Sequence, residues 1–180
     1  AHAWMHHGDE AATMLNAWLE GCLKSNGFLS CQARSPDDRR SEMWMQNQLC
    51  GTANALNEML LQSHSGILQV FPAIPSDWEN VSFFNMLARG GVHVSAEKCS
   101  GRVHWVVLSC CQGQATVQVL SPWGDEVDAN DIIARTTPFW DDVETAWDGG
   151  ALSLTLTETT PVALCLRSEA DQLREQICGG

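Results

Sequence analysis

The first third of the chain carries apolar residues at steps of three and four, which is the spacing of one face of an α-helix. A first helix is predicted from Asp9, a residue type that caps helices, to a stop at Gly27. A second helix is predicted from about Gly51 to Ser63. The two apolar faces consist of Met14, Leu15, Trp18, Leu19, Cys22 and Leu23, and of Ala53, Leu56, Met59 and Leu60. Two such helices cannot enclose a core by themselves, so their apolar faces require a partner elsewhere in the protein.

After Gly66 the pattern changes to a period of two, which is typical of β-strands. The strand-like runs are Ile67 to Phe71, Ser82 to Arg89, Val92 to Glu97, Val103 to Ser109, Ala115 to Leu120, Leu152 to Thr157 and Val162 to Leu166. Turn signals stand between several of them, at Gly90-Gly91, Ser100-Gly101, Gln112-Gly113 and Gly149-Gly150. Strands at this spacing predict an antiparallel β-sandwich. The expected fold is α+β, with helices over residues 1–66 and a sandwich over 67–180. Ser168–Gly180 is expected to form either one or two helical turns on the sheet or a frayed tail.

The net charge of the chain argues against some classes of binding partner. Ten Lys and Arg stand against 22 Asp and Glu, for a formal net charge of −12. Nucleic acids and anionic membranes are bound through clustered positive charge. The longest apolar runs are far shorter than the roughly 20 residues that a membrane-spanning helix needs. We therefore expect neither nucleic acid nor a membrane among the partners.

Eight cysteines are many for a chain of 180 residues, but their spacing is not that of a metal site. They form no Cys-x-x-Cys pair and no Cys/His pattern typical of zinc. We expect no metal and no cofactor. Small buried thiols are one interpretation, and disulfides are the other, because an even count permits them.

One block of the sequence closely resembles a known enzyme family. Residues 51–75, which begin Gly51-Thr52-Ala53 and end Phe71-Pro72-Ala73-Ile74-Pro75, resemble part of glycoside hydrolase family 95, the α-L-fucosidases. In that part, the last barrel helix passes into the C-terminal β-domain. Trp78, the run Leu87 to Val94, and Ser121-Pro122-Trp123-Gly124 also look like the family's pattern.

The resemblance implies an (α/α)6 barrel, of which only the terminal helices lie in this chain, followed by a C-terminal β-sandwich. It places the last helices of the catalytic domain in residues 1–66 and the C-terminal domain in 67–180. Hydrolysis in this family goes with inversion, which needs an acid and a base about 6.5–9.5 Å apart. The acid of such enzymes lies well upstream, and so outside this chain.

The sequence departs from the family at the second carboxylate. The family's Asp shortly before the Gly-Thr-Ala helix start falls on Gln46 here. A glutamine can hold a water or a sugar hydroxyl, but it cannot take a proton as a base. Glu42 is then the nearest candidate for a catalytic carboxylate.

Polar and aromatic residues crowd the stretch before the predicted helix start, where a barrel rim would place substrate contacts. Amides suit the recognition of hydroxyls, and an indole suits the apolar face of a sugar ring. The candidate substrate-binding residues are Trp44, Gln46, Asn47 and Gln48. The simpler interpretation is a polar loop in which Trp44 fills the core.

Eight Trp and no Tyr make an unusual aromatic composition. Exposed Trp can hold sugars by stacking, but most Trp in proteins are largely buried. Core filling is therefore expected for most of the Trp in the β part, which are Trp78, Trp105, Trp123, Trp140 and Trp147. The segment Pro138–Asp142, with Trp140, is the expected exception because it lies in a loop-like acidic region.

Together these features predict the C-terminal part of a glycoside hydrolase that cleaves O-glycosidic bonds in fucosylated or related oligo- and polysaccharides. The expected partners are a carbohydrate substrate and the missing N-terminal catalytic domain, so the isolated chain is expected to be inactive. One alternative is a non-catalytic β-sandwich that binds carbohydrate or braces its neighbour. Another is a metal or redox protein built on the cysteines. An exported enzyme would be extracellular or periplasmic, but no feature of the chain settles its compartment.

Overall fold

The structure, a computed structural model, describes residues 2–23, 29, 46–124 and 127–178. The chain divides into two compact units. The helical unit comprises Ala1–Leu60 and Pro72–Ser76, and the β unit comprises Leu61–Phe71 and Asp77–Gly180. The predicted α+β class is confirmed. The assignment of the helices to a barrel, and the division at residue 66, stay predictions.

The helical unit contains a short 3-10 helix, Ala3–Met5, and two α-helices, α1 over Gly8–Cys22 and α2 over Gln46–Leu60. Helix α1 begins one residue before the expected cap, Asp9. The Asp9 carboxylate instead accepts hydrogen bonds from the backbone N–H and the hydroxyl of Ser76, at 2.7 and 3.0 Å. A carboxylate in the first turn is also favoured by the helix dipole. No described helix is long and apolar enough to cross a membrane.

Helix α2 begins and ends earlier in the chain than its apolar stripe predicts. It starts at Gln46 rather than Gly51, and it ends at Leu60 rather than Ser63. The reason for the early end is that Leu61 and Gln62 pair with Val70 and Gln69 in an antiparallel ladder. Backbone pairing with a strand therefore overrides helical periodicity at this point.

Within the described residues, the β unit forms two five-stranded sheets. The strands of the first sheet, in spatial order, are β1 (Leu61–Gln62), β2 (Ile67–Val70), β6 (Gln114–Leu120), β9 (Ala151–Thr157) and β8 (Thr145–Asp148). Those of the second sheet are β3 (Val81–Ala88), β4 (Val92–Cys99), β5 (Arg102–Cys110), β10 (Val162–Leu166) and β7 (Ile132–Thr136). Neighbouring strands are antiparallel except β2 and β6, which are parallel.

The strands and turns of the β unit follow the sequence pattern closely. All seven predicted strands are present, while the short strands β1, β7 and β8 were not predicted. The turns at Gly90-Gly91 and Gly149-Gly150 each place two consecutive residues at positive φ, from +55° to +82°. This is the backbone of the two-residue hairpin turns that suit the twist of antiparallel strands. The predicted positions of these turns are thus confirmed.

Alternation along the strands builds the core between the sheets. In β4, Val92, Val94 and Ala96 are buried, while the residues between them are only half-buried. On the first sheet, Leu154 and Leu156 of β9 are buried in the same way. Successive side chains of a strand point to opposite faces, so one face of each sheet supplies the core. The result is a β-sandwich.

Strand β10 is buried at every position, which alternation alone does not explain. Its second face is covered by helix α3, Ala170–Cys178. Leu173 of α3 packs with Ala163 and Cys165 of β10 and with Ile133 of β7 in a small separate cluster. The predicted helical turns on the sheet are confirmed, and they cover the β10–β7 half of the outer face of the second sheet.

Candidate functional site

The sequence-predicted site falls mainly outside the part of the chain that the structure describes. Glu42 and Trp44 lie outside the described residues. Gln46, Asn47 and Gln48 form the start of α2, and their side chains are likewise outside the description. These three residues therefore begin a helix, rather than preceding one as expected. Their roles, like those of Glu42 and Trp44, stay predictions.

The helical unit has an apolar groove of about 590 Å³ between α1 and α2. One wall is formed by Ala11, Met14, Leu15 and Trp18 of α1, and the other by Gly51, Thr52, Ala55 and Met59 of α2. Met14 is 62% exposed, although it belongs to the predicted apolar face of α1. The lining contains no carboxylate, so the described groove does not itself supply an acid and a base for hydrolysis.

A second candidate lies on the outer face of the second sheet, where two aromatic rings meet. The rings of Phe84 in β3 and Trp105 in β5 have centroids 6.1 Å apart and an interplanar angle of 48°. Phe84 is 67% exposed. We call Phe84 and Trp105, with the flanking side chains of His93, Ser95 and Glu97 on β4, the aromatic face.

A β-bulge places Phe84 on this face. The register between β3 and β4 shifts between Phe83 and Met86, and Asn85 has a φ of +54°. The backbone N–H of Asn85 donates to Ser95 Oγ at 2.9 Å, and its carbonyl lies 3.3 Å from His93 Nδ1. Bulges of this kind redirect side chains at sheet edges. Two polar residues of β4 therefore hold the backbone that orients the phenyl ring.

Trp105 is held by a chain of polar contacts. Its indole Nε1–H donates to Glu97 Oε2 at 2.7 Å. The same oxygen lies 3.7 Å from His104 Nδ1, and His104 Nε2 lies 3.8 Å from Glu169 Oε2. A hydrogen bond to a carboxylate is stronger than one between neutral groups. The indole therefore has a defined orientation before any ligand binds.

Arg89 lies in the run Leu87 to Val94 that resembles the family pattern, and its contacts are structural. Its backbone N–H donates to Ser63 Oγ at 3.0 Å, and its Nη1 donates to the His64 carbonyl at 3.3 Å. These bonds join the β3–β4 turn to the connection between β1 and β2. A cleft of about 380 Å³ lies beside them, lined by polar side chains such as Ser65, Thr116 and Gln118 and by apolar ones such as Leu68 and Val92.

The cysteines and histidines show no metal-binding arrangement in the described ranges. No group of three or more His, Cys, Asp or Glu there could hold a metal ion. Cys50, Cys99, Cys110, Cys111 and Cys165 are free thiols. Burial, together with the nearby Glu169, raises the pKa of Cys165 to about 11, and Arg135 opposes this shift. Cys165 is thus an inert core residue at neutral pH rather than a nucleophile.

The tryptophans of the β unit do not behave as a uniform group. Trp123 is partly buried and donates from Nε1 to the Val103 carbonyl at 2.7 Å. Trp140 was expected to be an exposed exception, but it packs against the cluster beneath α3, while its neighbour Phe139 is 74% exposed. The prediction for Trp140 is therefore wrong. Sequence reasoning also missed Phe84, although adjacent Phe83 and Phe84 in a strand signal that one ring faces outward.

Comparison with known proteins relates part of the chain to a known family. Residues 62–137 match the family model described as "Glycoside hydrolase family 95, C-terminal domain". No curated protein shows a significant match to the chain. Among solved structures, it is similar to a family 39 glycoside hydrolase from the gut symbiont Bacteroides cellulosilyticus WH2. The TM-score is 0.36 at 20% identity, over 47% of this chain and 16% of that one.

It is also similar to the catalytic domain of GH30 xylanase C from Talaromyces cellulolyticus. Here the TM-score is 0.35 at 14% identity, over 59% of this chain and 27% of that one. The matched region thus spans less than a third of the length of each of these two chains. The match over residues 62–137 confirms the resemblance predicted from the sequence, and identifies this segment as similar to the C-terminal domain of glycoside hydrolase family 95.

Proposed function

We propose that the chain is the C-terminal part of a glycoside hydrolase that cleaves O-glycosidic bonds in fucosylated or related oligo- and polysaccharides. The observation that carries this proposal is the family match over residues 62–137. That match begins in β1, immediately after α2 ends at Leu60. The family resemblance puts the passage from the catalytic barrel to the β-domain within residues 51–75, which include this point, and divides the two domains after residue 66.

The groove of the helical unit supports the same proposal. Its walls are apolar side chains of α1 and α2, and Met14 is largely exposed there. Burying an exposed apolar side chain of this size contributes about 1.5–3 kcal/mol. In our proposal, further helices of the catalytic domain cover this groove and supply the general acid.

The residues at and before the start of α2 have specific roles in this proposal. Glu42 is the candidate general base, and Trp44, Gln46, Asn47 and Gln48 are the candidate substrate contacts. A base must hold the proton of the attacking water, which a glutamine at position 46 cannot do. Gln46 would instead orient the water or a sugar hydroxyl by hydrogen bonds.

Activity assays on two forms of the protein test the proposal. The 180-residue chain and the product of the whole reading frame that contains it would each be assayed with aryl α-L-fucosides and a panel of other aryl glycosides. We expect turnover only from the longer form. Hydrolysis by the 180-residue chain would contradict the proposal that the general acid comes from further helices of the catalytic domain. A longer form that is inactive on every glycoside would contradict the enzymatic function.

The candidate base is tested in the longer form by Glu42→Gln. We expect kcat to fall by about 10²–10⁴, the usual contribution of general acid–base catalysis. Glu79→Gln is the matched control, because Glu79 is an exposed carboxylate of the β unit. If Glu42→Gln and Glu79→Gln leave the same activity, Glu42 is not the base.

A further inference from the structure

The aromatic face extends from the edge strand β3, which α3 leaves open, to Trp105, which is partly buried and packs against the cluster beneath α3. Helix α3 covers β10 and β7, where Ala163, Cys165 and Ile133 are buried. On β3, by contrast, Phe84 and Leu87 are about two-thirds exposed. Within the described residues, this sheet face thus passes from an apolar part covered by α3 to an exposed part at β3, with the partly buried Trp105 between them.

Hydrogen bonds fix the orientation of both rings of the aromatic face, although exposed apolar side chains need no such bonds for folding. Ser95 and His93 hold the bulge that presents Phe84, and Glu97 holds the indole of Trp105. A rigid aromatic surface loses little conformational entropy when a ligand binds. Such ordering is typical of a binding surface.

We propose that the aromatic face is a binding site for a neutral oligosaccharide. The axial C–H groups of a pyranose ring would pack against the exposed phenyl ring of Phe84, with the Trp105 indole as the adjoining wall. The contacts of Glu97 with Trp105 and His104 both use Oε2, so Oε1 is placed to accept a hydroxyl hydrogen. The Ser95 hydroxyl accepts from Asn85 N–H and can still donate its own hydrogen.

Charge favours a neutral sugar over an acidic one. The chain has a net charge of −12, Glu97 accepts the indole hydrogen bond, and Glu169 lies 3.8 Å from the neighbouring His104. A uronate at this site would meet carboxylates of the same sign, which is unfavourable. Neutral hydroxyls, by contrast, can donate to those carboxylates.

The same polar groups argue against an apolar protein surface as the occupant. A dry protein contact would bury the Glu97 carboxylate, whose side chain is 40% exposed, and burying a charge without a full set of partners is costly. Sugar hydroxyls would satisfy Glu97, Ser95 and His93 while the ring face covers the phenyl group. The choice of carbohydrate as the ligand class rests on the proposed function.

The site is tested by titrating the 180-residue chain with a neutral fucosylated oligosaccharide, the same oligosaccharide without fucose, and an oligogalacturonate. Calorimetry gives Kd, and two-dimensional NMR follows the indole N–H of Trp105, assigned with Trp105→Phe. We expect the neutral sugars to bind and to shift this signal, with the oligogalacturonate at least tenfold weaker. Binding only of the acidic sugar, or of none of the three, would overturn the proposal.

Variants locate the binding. Phe84→Ala is expected to raise Kd about tenfold, and Phe84→Trp to restore it. Phe139→Ala is the matched control, because it removes an equally exposed phenyl ring in the connection between β7 and β8. Melting temperatures show that each variant is folded. An unchanged Kd in folded Phe84→Ala, or an equal loss in Phe139→Ala, would overturn the assignment to this face.

The outcome is independent of the hydrolysis assay. If a longer form hydrolyses fucosides while the Phe84→Ala chain binds sugar normally, the proposed function stands and the binding site does not. If the face binds sugar but the longer form hydrolyses no glycoside, the binding site stands and the enzymatic function does not.

Discussion

Helix α3 is anchored by Leu173, which is its one fully buried large side chain among those that the structure describes, with Ala170 and Ile177 packing beside it. It has nine residues, and isolated helices shorter than about 12–15 residues are marginal in water. Leu173 is 0% exposed and packs on Ala163, Cys165 and Ile133. The helix is therefore held in place mainly by tertiary packing.

We predict that Leu173→Ala weakens the docking of α3 by about 3 kcal/mol, because truncating a leucine buried in a packed core to alanine costs about 2–5 kcal/mol. A factor of ten in a population corresponds to about 1.4 kcal/mol. The population in which α3 is detached should therefore rise about 150-fold.

Cys165 reports this detachment. It lies fully buried under α3, and its raised pKa keeps it protonated and unreactive at pH 8. Cleavage after Arg135 and Arg167 gives a peptide, residues 136–167, in which Cys165 is the only cysteine. Its alkylation rate can therefore be measured by mass spectrometry, and we expect it to rise with the detached population, by about 150-fold in the variant.

Glu175→Ala is the control, because Glu175 is exposed on the same helix. Cys110, buried in β5, distinguishes local from global opening: it stays protected if only α3 detaches, and reacts together with Cys165 if the β unit unfolds. A Cys165 rate within threefold of wild type, or an equal acceleration in Glu175→Ala, would refute the reasoning.

Further predictions concern single contacts. Gly8→Ala should destabilise the helical unit by about 1–3 kcal/mol, because a Cβ would lie 2.5 Å from the Ile74 carbonyl oxygen; an unchanged helical melting transition would contradict this. Trp123→Phe loses the indole bond to Val103 and should cost about 1–3 kcal/mol in urea unfolding, and a loss below about 0.5 would argue against it. The native pKa of Cys165 is raised from 9.0 to about 11, so its stabilising effect is complete below pH 9 and lost as pH rises to 11. The stability difference between wild type and Cys165→Ala should shrink over this pH range, and a constant difference would show that this thiol does not titrate there.

The local pattern was sufficient for most of the secondary structure. Period-two runs such as Val92 to Glu97 became strands because alternating side chains can bury one face of a sheet. Paired glycines such as Gly149-Gly150 became hairpin turns because glycine adopts positive φ without a steric penalty. Residues 51–75 were sufficient to show a resemblance to glycoside hydrolase family 95, and the match over residues 62–137 confirmed that resemblance. The roles of Glu42 and Trp44 stay predictions from that resemblance.

Only the tertiary structure decided which residues meet. The sequence pattern predicts a second helix as far as Ser63, but pairing with Val70 and Gln69 makes Leu61-Gln62 a strand. In the segment Pro138–Asp142 the exposed ring is that of Phe139, whereas Trp140, which was expected to be exposed, packs against the cluster that α3 covers. Phe84 and Trp105 lie on strands that are not direct neighbours, and a bulge brings their rings together. Periodicity reports the environment of a residue along its own element, whereas the aromatic face depends on register and bulging between strands distant in sequence.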